Sequence, residues 1–400
     1  MTAEVLRMSR PGFGPRHVHA VAGCYFVASF AALGLPPFLT EILPELGDRT
    51  ARWAGLLYVV PTVFGALGAP LWGRLADRFG RKRLLLRAQL GLAVAFLLAG
   101  WADSLGTFTA ALVLQGILGG TFAASNGYLG AALEGTHLSR ALTLMHGSAR
   151  AALVVAPIVV GSLSSWLSPH RQYALLALLP LAAALLLAAL PEPQAEEAEL
   201  TEVAETSEPV PAAALRSLYA LEFAFVFSTV ISFPYLISLV EERIPGATPT
   251  LSGVLFALPH LCYLTAAMPV HTAFRDRPRA GLAIGFVCVA IGLTGHSAAG
   301  SLAALICVRL VLGVGLTLGL VCLSVLAADC VKGRSPGGLF GSLEFFSKAG
   351  AVAAGVAAAA GSARFGPIAP LLTGAAVALI TVCATILRSL CTRWSHTCPR

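Results

Sequence analysis

The sequence predicts an all-α integral membrane protein, with twelve transmembrane helices in two pseudo-symmetric six-helix bundles. Three observations predict it. First, 57% of the 400 residues are apolar and only 12% charged, with a mean hydropathy of +0.80, against roughly 25% charged in soluble domains. Second, apolar runs of about twenty residues recur along the chain, each long enough to cross a bilayer as a helix. A membrane barrel would show short alternating segments, and a soluble helical protein would need polar faces that these runs lack. Third, the two halves of the chain match when one is shifted onto the other.

The spans are expected near 18–43, 53–73, 84–102, 106–129, 141–166 and 172–190, and again near 214–240, 251–273, 280–298, 301–328, 337–361 and 367–390. Arg7, Arg10 and Arg16 precede the first run as in a secretory leader. That run continues through "GLPPFL" without a clear cleavage site, so it is read as a first span. Between the sets lies "PEPQAEEAELTEVAETSEPVP" (191–211), rich in Pro and Glu and without Lys or Arg. Such a stretch cannot bury a core and reads as a linker. The expected organisation is a six-helix half over 1–190, an acidic linker over 191–213 and a second half over 214–400.

Charge sets the orientation. About nineteen of the 27 Lys and Arg fall on one side of the spans, in the N-terminus, the 73–87 loop, Arg140, Arg216, Arg275, Arg277, Arg279, Lys332, Arg334 and the C-terminal tail, so that side is expected to be cytoplasmic. Arg49, Arg52, Arg171, Arg243 and Arg364 fall on the other. Both termini and the linker are then inside. The net charge of +7 lies in short loops and not in a basic, aromatic-interleaved patch, which argues against nucleic acid as a partner. Of the nine cysteines, Cys24, Cys262, Cys288, Cys307, Cys322 and Cys383 lie in apolar runs. No pair has metal-ligand spacing, and they read as small packing residues.

A shift of 198 residues brings Gly55 onto Gly253, Pro61 onto Pro259 and Pro36 onto Pro234. One residue further, Pro70 meets Pro269 and Asp77–Arg78 meets Asp276–Arg277. Each proline removes a backbone hydrogen bond and bends a helix, so matched prolines imply matched shapes. "RDRPR" (275–279) is then a decayed copy of "GRLADRFGRKRLLL" (73–86).

That first stretch carries a resemblance. Gly73, Asp77, Arg78, Gly80, Arg81 and Lys82 match the signature loop between helices 2 and 3 of the major facilitator superfamily. With twelve spans, a central linker and the second copy, the likeness covers nearly the whole chain. It implies a secondary transporter with a cargo site near the membrane midplane, between the halves. It also implies that Asp77 faces the start of helix 11, here "GRSPGG", where Ser335 is the expected N-cap and Pro336 the first helical residue. Since a helix N-terminus attracts an anion, Asp77 is expected to latch the cytoplasmic gate. The alternative is a loop that only sets topology, which accounts for Arg81, Lys82 and Arg83 but not for Asp77 or the glycines.

Ionisable residues inside spans are costly and mark candidate sites. They are His146 and Arg150 in helix 5, Glu222 in helix 7, His260 in helix 8, Arg309 in helix 10, and Glu344 and Lys348 in helix 11. Asn126, late in helix 4, joins them. The 198-residue shift takes His146 to Glu344 and Arg150 to Lys348, and i, i+4 spacing puts each pair on one helix face. The alternative for Glu344 and Lys348 is that they pair only with each other and shield a packing face. Glu222 is the acidic candidate for proton coupling, with a nearby Arg as the alternative partner. His260 also reads as a packed, hydrogen-bonded residue. Arg309 in "VRLVLGVG" resembles the Arg this superfamily often carries in helix 4. In helix 4 itself, "LVLQGILGG", Leu112 takes that place. Helix 5 carries "SARAALVVAPIVVG", in which Pro157 and Gly161 fit the exporter pattern, while Ala152 and Ala156 replace glycines.

The resemblance is therefore to the drug:proton antiporter subgroup, in a bacterial-type inner membrane. The cationic candidates favour an anionic or zwitterionic cargo such as a carboxylate siderophore. Broad multidrug efflux and anion uptake by symport are the alternatives. No cofactor is expected, and no enzyme, since there is no nucleotide loop, nucleophile elbow or metal cluster. The expected partners are a small-molecule substrate, protons and the lipid bilayer, and the chain is expected to be monomeric.

Overall fold

Long apolar runs with helix-favouring Ala and Leu leave the backbone one way to satisfy its polar groups in lipid, which is to bond within each segment. The computed structural model describes residues 14–49, 53–191, 211–232, 239–240, 243–244, 249–331, 335–366 and 368–397, and its regular structure there is helical throughout. The helices are α1 (Pro15–Gly34), α2 (Leu39–Glu45), α3 (Ala54–Phe79), α4 (Arg81–Gly100), α5 (Leu105–Leu118), α6 (Thr121–Ala132), α7 (Gly135–Leu163), α8 (Pro169–Leu176) and α9 (Leu178–Ala188). They continue with α10 (Ala212–Val230), α11 (Pro249–Phe274), α12 (Pro278–Ala298), α13 (Leu302–Cys330), α14 (Pro336–Phe365) and α15 (Ala369–Thr397). Eleven helical runs among the described residues are long and apolar enough to span a bilayer, and the apolar stretch Ala369–Thr385 of α15 adds a shorter one. The expected linker falls almost wholly outside the described residues, as do Lys332 and Arg334.

Three expected spans are interrupted: the sixth divides at Ala177, between α8 and α9, and the first and fourth break for reasons the sequence carries. The first breaks after Gly34, because Pro36 and Pro37 cannot donate to the helical ladder. A single 3-10 turn, Pro36–Phe38, bridges α1 to α2. The fourth breaks at Gly119–Gly120, where Gly120 adopts φ +84° and starts α6. The carbonyls exposed by that break find side-chain donors. Trp72 Nε1 donates to Ile117 O at 2.7 Å, and Arg87 Nη1 donates to Leu118 O at 2.8 Å. The Arg87 guanidinium also lies 3.5 Å from the centre of the Trp72 ring, a cation–π contact that fixes both donors.

Two of the three matched proline pairs recur as matched irregularities, and Pro234 lies outside the described residues. Pro61 and Pro70 lie inside α3, and Pro259 and Pro269 inside α11. A Cβ on Gly116 would stand 2.7 Å from Pro61 O, and one on Gly313 would stand 3.0 Å from Pro259 Cα. A small residue thus lets a neighbouring helix approach each bend.

By packing, the chain forms two compact units. One comprises Met1–Tyr219 with Ser324–Ala349, and the other Ala220–Leu323 with Gly350–Arg400. In the first, α1 packs on α7 and α9, and α4 on α5, α8 and α9. Its core includes Phe96, Phe108 and Tyr173, whose rings meet edge to face. In the second, α12 packs on α15, and Phe225 meets Phe286 edge to face at 5.7 Å. Apolar side chains such as Leu67, Ile158, Leu185 and Ile380 are turned outward, as a lipid-facing surface requires.

Candidate functional site

The 73–86 stretch folds as the end of α3, a turn at Gly80 and the start of α4. Gly80 takes φ +97°, a conformation that favours glycine. Asp77 sits in the last turn of α3 and reaches the N-terminus of α14. Its Oδ1 accepts from Gly337 N at 3.0 Å and its Oδ2 from Gly338 N at 2.8 Å. These amides belong to the first helical turn after Pro336, so they have no carbonyl partner within the helix. Arg81 Nη2 also donates to Asp77 Oδ1 at 3.1 Å.

The backbones must be close for a side chain as short as Asp to span the gap. A Cβ on Gly73 would run into the carbonyl oxygen of Gly337, and one on Gly341 would stand 2.6 Å from Ala69 O. On the other flank, a Cβ on Gly130 of α6 would stand 2.9 Å from the Phe340 ring. Arg78 takes no part in this contact and lies 5.3 Å over the Phe79 ring. Lys82 caps α9 through Ala188 O at 2.9 Å. The second copy of the loop keeps the charge and not the docking. The Asp276 side chain is 84% exposed and lies 3.7 Å from Arg275.

Deeper in the same unit, side chains from four helices converge. Lys348 Nζ lies 3.2 Å from Glu344 Oε1 on α14, with Glu344 9% and Lys348 24% exposed. Gly65 of α3 makes room for this lysine, since a Cβ there would collide with the ammonium. Tyr25 of α1 stands within electrostatic reach of both Glu344 and Arg150. The Tyr25 ring lies 5.4 Å from Phe122 of α6, and Phe122 lies 5.2 Å from His146 of α7. His146 is within electrostatic reach of Arg150, one turn along α7. His146, Arg150, Glu344 and Lys348, which the sequence repeat singles out, are thus joined by Tyr25 and Phe122, which it does not. Tyr25 falls on Phe223 in the repeat, so the duplication carries no signal for it.

Asn126 is buried in α6, and its Oδ1 has no hydrogen-bond partner among the described residues. Glu222 and His260 belong to the other unit. Both are buried, and the His260 ring lies 5.4 Å from Phe256. Arg309 is only 1% exposed, and two of its guanidinium nitrogens are committed to backbone, while Nη1 has no hydrogen-bond partner among the described residues. Nε donates to Leu255 O at 2.8 Å and Nη2 to Phe256 O at 2.9 Å. Leu255 O is the carbonyl that Pro259, four residues on, cannot serve for want of an N–H. Arg309 therefore braces the bend that the proline makes.

Residues 21–243 match the Major Facilitator Superfamily. The chain belongs to that superfamily. Among curated relatives, the multidrug resistance protein MdtG of Yersinia enterocolitica is 35% identical over 147 residues, covering 36% of this chain and 35% of that protein. MdtG of Proteus mirabilis is 30% identical over 146 residues, 36% of each chain. The matches thus span about a third of these relatives' length. The crystal structure of the human organic anion transporter MFSD10 (TETRAN) superposes with a TM-score of 0.77 at 18% identity, covering 93% of this chain and all of that one. This likeness confirms the superfamily fold. The Asp77 contacts lie at the start of Pro336–Ser362, the eleventh candidate span along the described residues.

Proposed function

We propose that the protein is a proton-coupled exporter of small organic molecules, with anionic or zwitterionic cargo favoured. The carrying observation is the cluster of Arg150, Glu344 and Lys348 around Tyr25. It places two cations and one carboxylate within membrane-length helices, where charge is costly. A guanidinium binds a carboxylate through two parallel hydrogen bonds, which suits a cargo carrying an acid group. A carboxylate siderophore has the matching chemistry.

The distribution of Lys and Arg supports an orientation with both termini in the cytoplasm, and the partial relatedness to bacterial MdtG proteins supports a bacterial-type inner membrane. Asp77 then closes the cytoplasmic end by holding the N-terminus of α14, and the site opens inward when those two hydrogen bonds break. Glu222 is the carboxylate proposed to couple transport to protons. Export is supported by the partial relatedness to the MdtG proteins. Their name also supports a second reading, broad multidrug efflux, in which Tyr25 and Phe122 meet aromatic cargo. The deciding experiment is flux in reconstituted vesicles, with and without a pH gradient, over labelled organic anions and dye cations. Arg150→Ala is expected to abolish anion flux. Unchanged anion flux in that variant overturns the anion reading and favours broad efflux.

A further inference from the structure

The pair Glu344–Lys348 does more than neutralise itself, and what it does narrows the cargo. We propose that the cargo is a zwitterion, an organic molecule with both an ammonium and a carboxylate, that binds by replacing this internal ion pair. The inference rests on the transport reading above and names the substrate class of the same site.

The argument is one of charge left behind. Glu344 and Lys348 lie 3.2 Å apart with little exposure. Removing one partner from such a pair strands the other in a poorly solvated place, whereas supplying both new partners does not. An anion that draws Lys348 away leaves the Glu344 carboxylate unpaired. A cation that draws Glu344 away leaves the ammonium unpaired. A molecule bearing both charges gives each residue a substitute, so the site exchanges one salt bridge for two.

The surroundings fit a body between those charges. Tyr25 stands within electrostatic reach of Glu344 on α14 and Arg150 on α7, so the cargo's acid group meets the guanidinium as well as the Lys348 ammonium. The Tyr25, Phe122 and His146 rings form a continuous run from α1 across α6 to α7, which offers an aromatic surface to a flat cargo. Gly65 leaves the Lys348 ammonium room on the α3 side.

The test uses one scaffold in four charge forms. These are 4-(aminomethyl)benzoate, its methyl ester (cation), its N-acetyl derivative (anion) and the doubly blocked neutral compound, each radiolabelled, in proteoliposomes with an imposed pH gradient. Wild type is expected to move the zwitterion about tenfold or more faster than either singly charged form, because only it leaves no stranded partner. Glu344→Gln should bring the anion level with the zwitterion, and Lys348→Met should do the same for the cation. The double variant should show no preference for the zwitterion. A purely structural pair would lower all four fluxes together and leave the ranking unchanged, and that result overturns the proposal. If the N-acetyl anion is fastest in wild type and keeps its lead in Glu344→Gln, pair exchange fails while anion export stands. If the pH gradient drives neither anion nor zwitterion, both readings fail.

Discussion

Replacing Asp77 by Asn isolates the charge at the α14 contact, because the side chain keeps its shape. The carboxylate accepts from two backbone amides, at 3.0 and 2.8 Å, and from Arg81. An amide side chain retains one oxygen, so one helical N–H of the first turn of α14 loses its acceptor and faces an NH2 group. A hydrogen bond to a charged group contributes about 1.5–3 kcal/mol, and an anion at a helix N-terminus about 0.3–1 kcal/mol more. Taking ~2 kcal/mol as the net loss, the open form of this contact becomes about 30 times more populated relative to the closed one. Hydrogen exchange at Gly337 and Gly338, read by mass spectrometry in nanodiscs, measures that opening directly. Exchange is expected to quicken by about thirtyfold in Asp77→Asn, with membrane insertion unchanged and transport reduced. Exchange within a factor of about two of wild type in properly inserted protein would refute the reasoning, because Asp77 would not be holding the helix.

Three further outcomes follow from the geometry. Gly73→Ala should cost about 1–3 kcal/mol by overpacking and lower the thermal midpoint, since its Cβ meets the Gly337 carbonyl. Arg309→Met should destabilise the protein by stranding Leu255 O, and Pro259→Ala should recover about 1 kcal/mol or more of that loss by restoring the missing N–H. A double-mutant cycle by denaturant unfolding that shows no coupling would contradict the brace. Arg87→Gln should quicken hydrogen exchange around Gly119–Phe122, because Leu118 O loses its guanidinium donor, and unaltered exchange there would contradict the clamp.

Much of the fold was legible because lipid allows few solutions. Run length gave the spans, and the paired prolines of α3 and α11 gave the repeat. The breaks were harder. Gly119–Gly120 lies inside an apolar stretch that reads as uninterrupted, and only the donors Trp72 and Arg87, distant in sequence, make the break tolerable. The Asp77 contact was readable from the loop and from "SPGG" at the start of the eleventh span. The close approach of Gly73 to Gly337 was not, because it depends on how α3 and α14 cross. Arg309 shows the limit most plainly. Its residue type and depth mark it as a candidate for cargo or protons, and the carbonyl that occupies it is exposed by a proline 50 residues away. Tyr25 and Phe122 leave no trace in the repeat, and three-dimensional proximity alone brings them to Arg150 and Glu344.

The measurement that bears most directly on the function is pH-gradient-driven flux of 4-(aminomethyl)benzoate and its N-acetyl anion in proteoliposomes, comparing wild type with Arg150→Ala. Proton-coupled export of acid-bearing cargo predicts movement against the proton gradient in wild type and its loss in the variant. Flux indifferent to the gradient, or undiminished without Arg150, would contradict it.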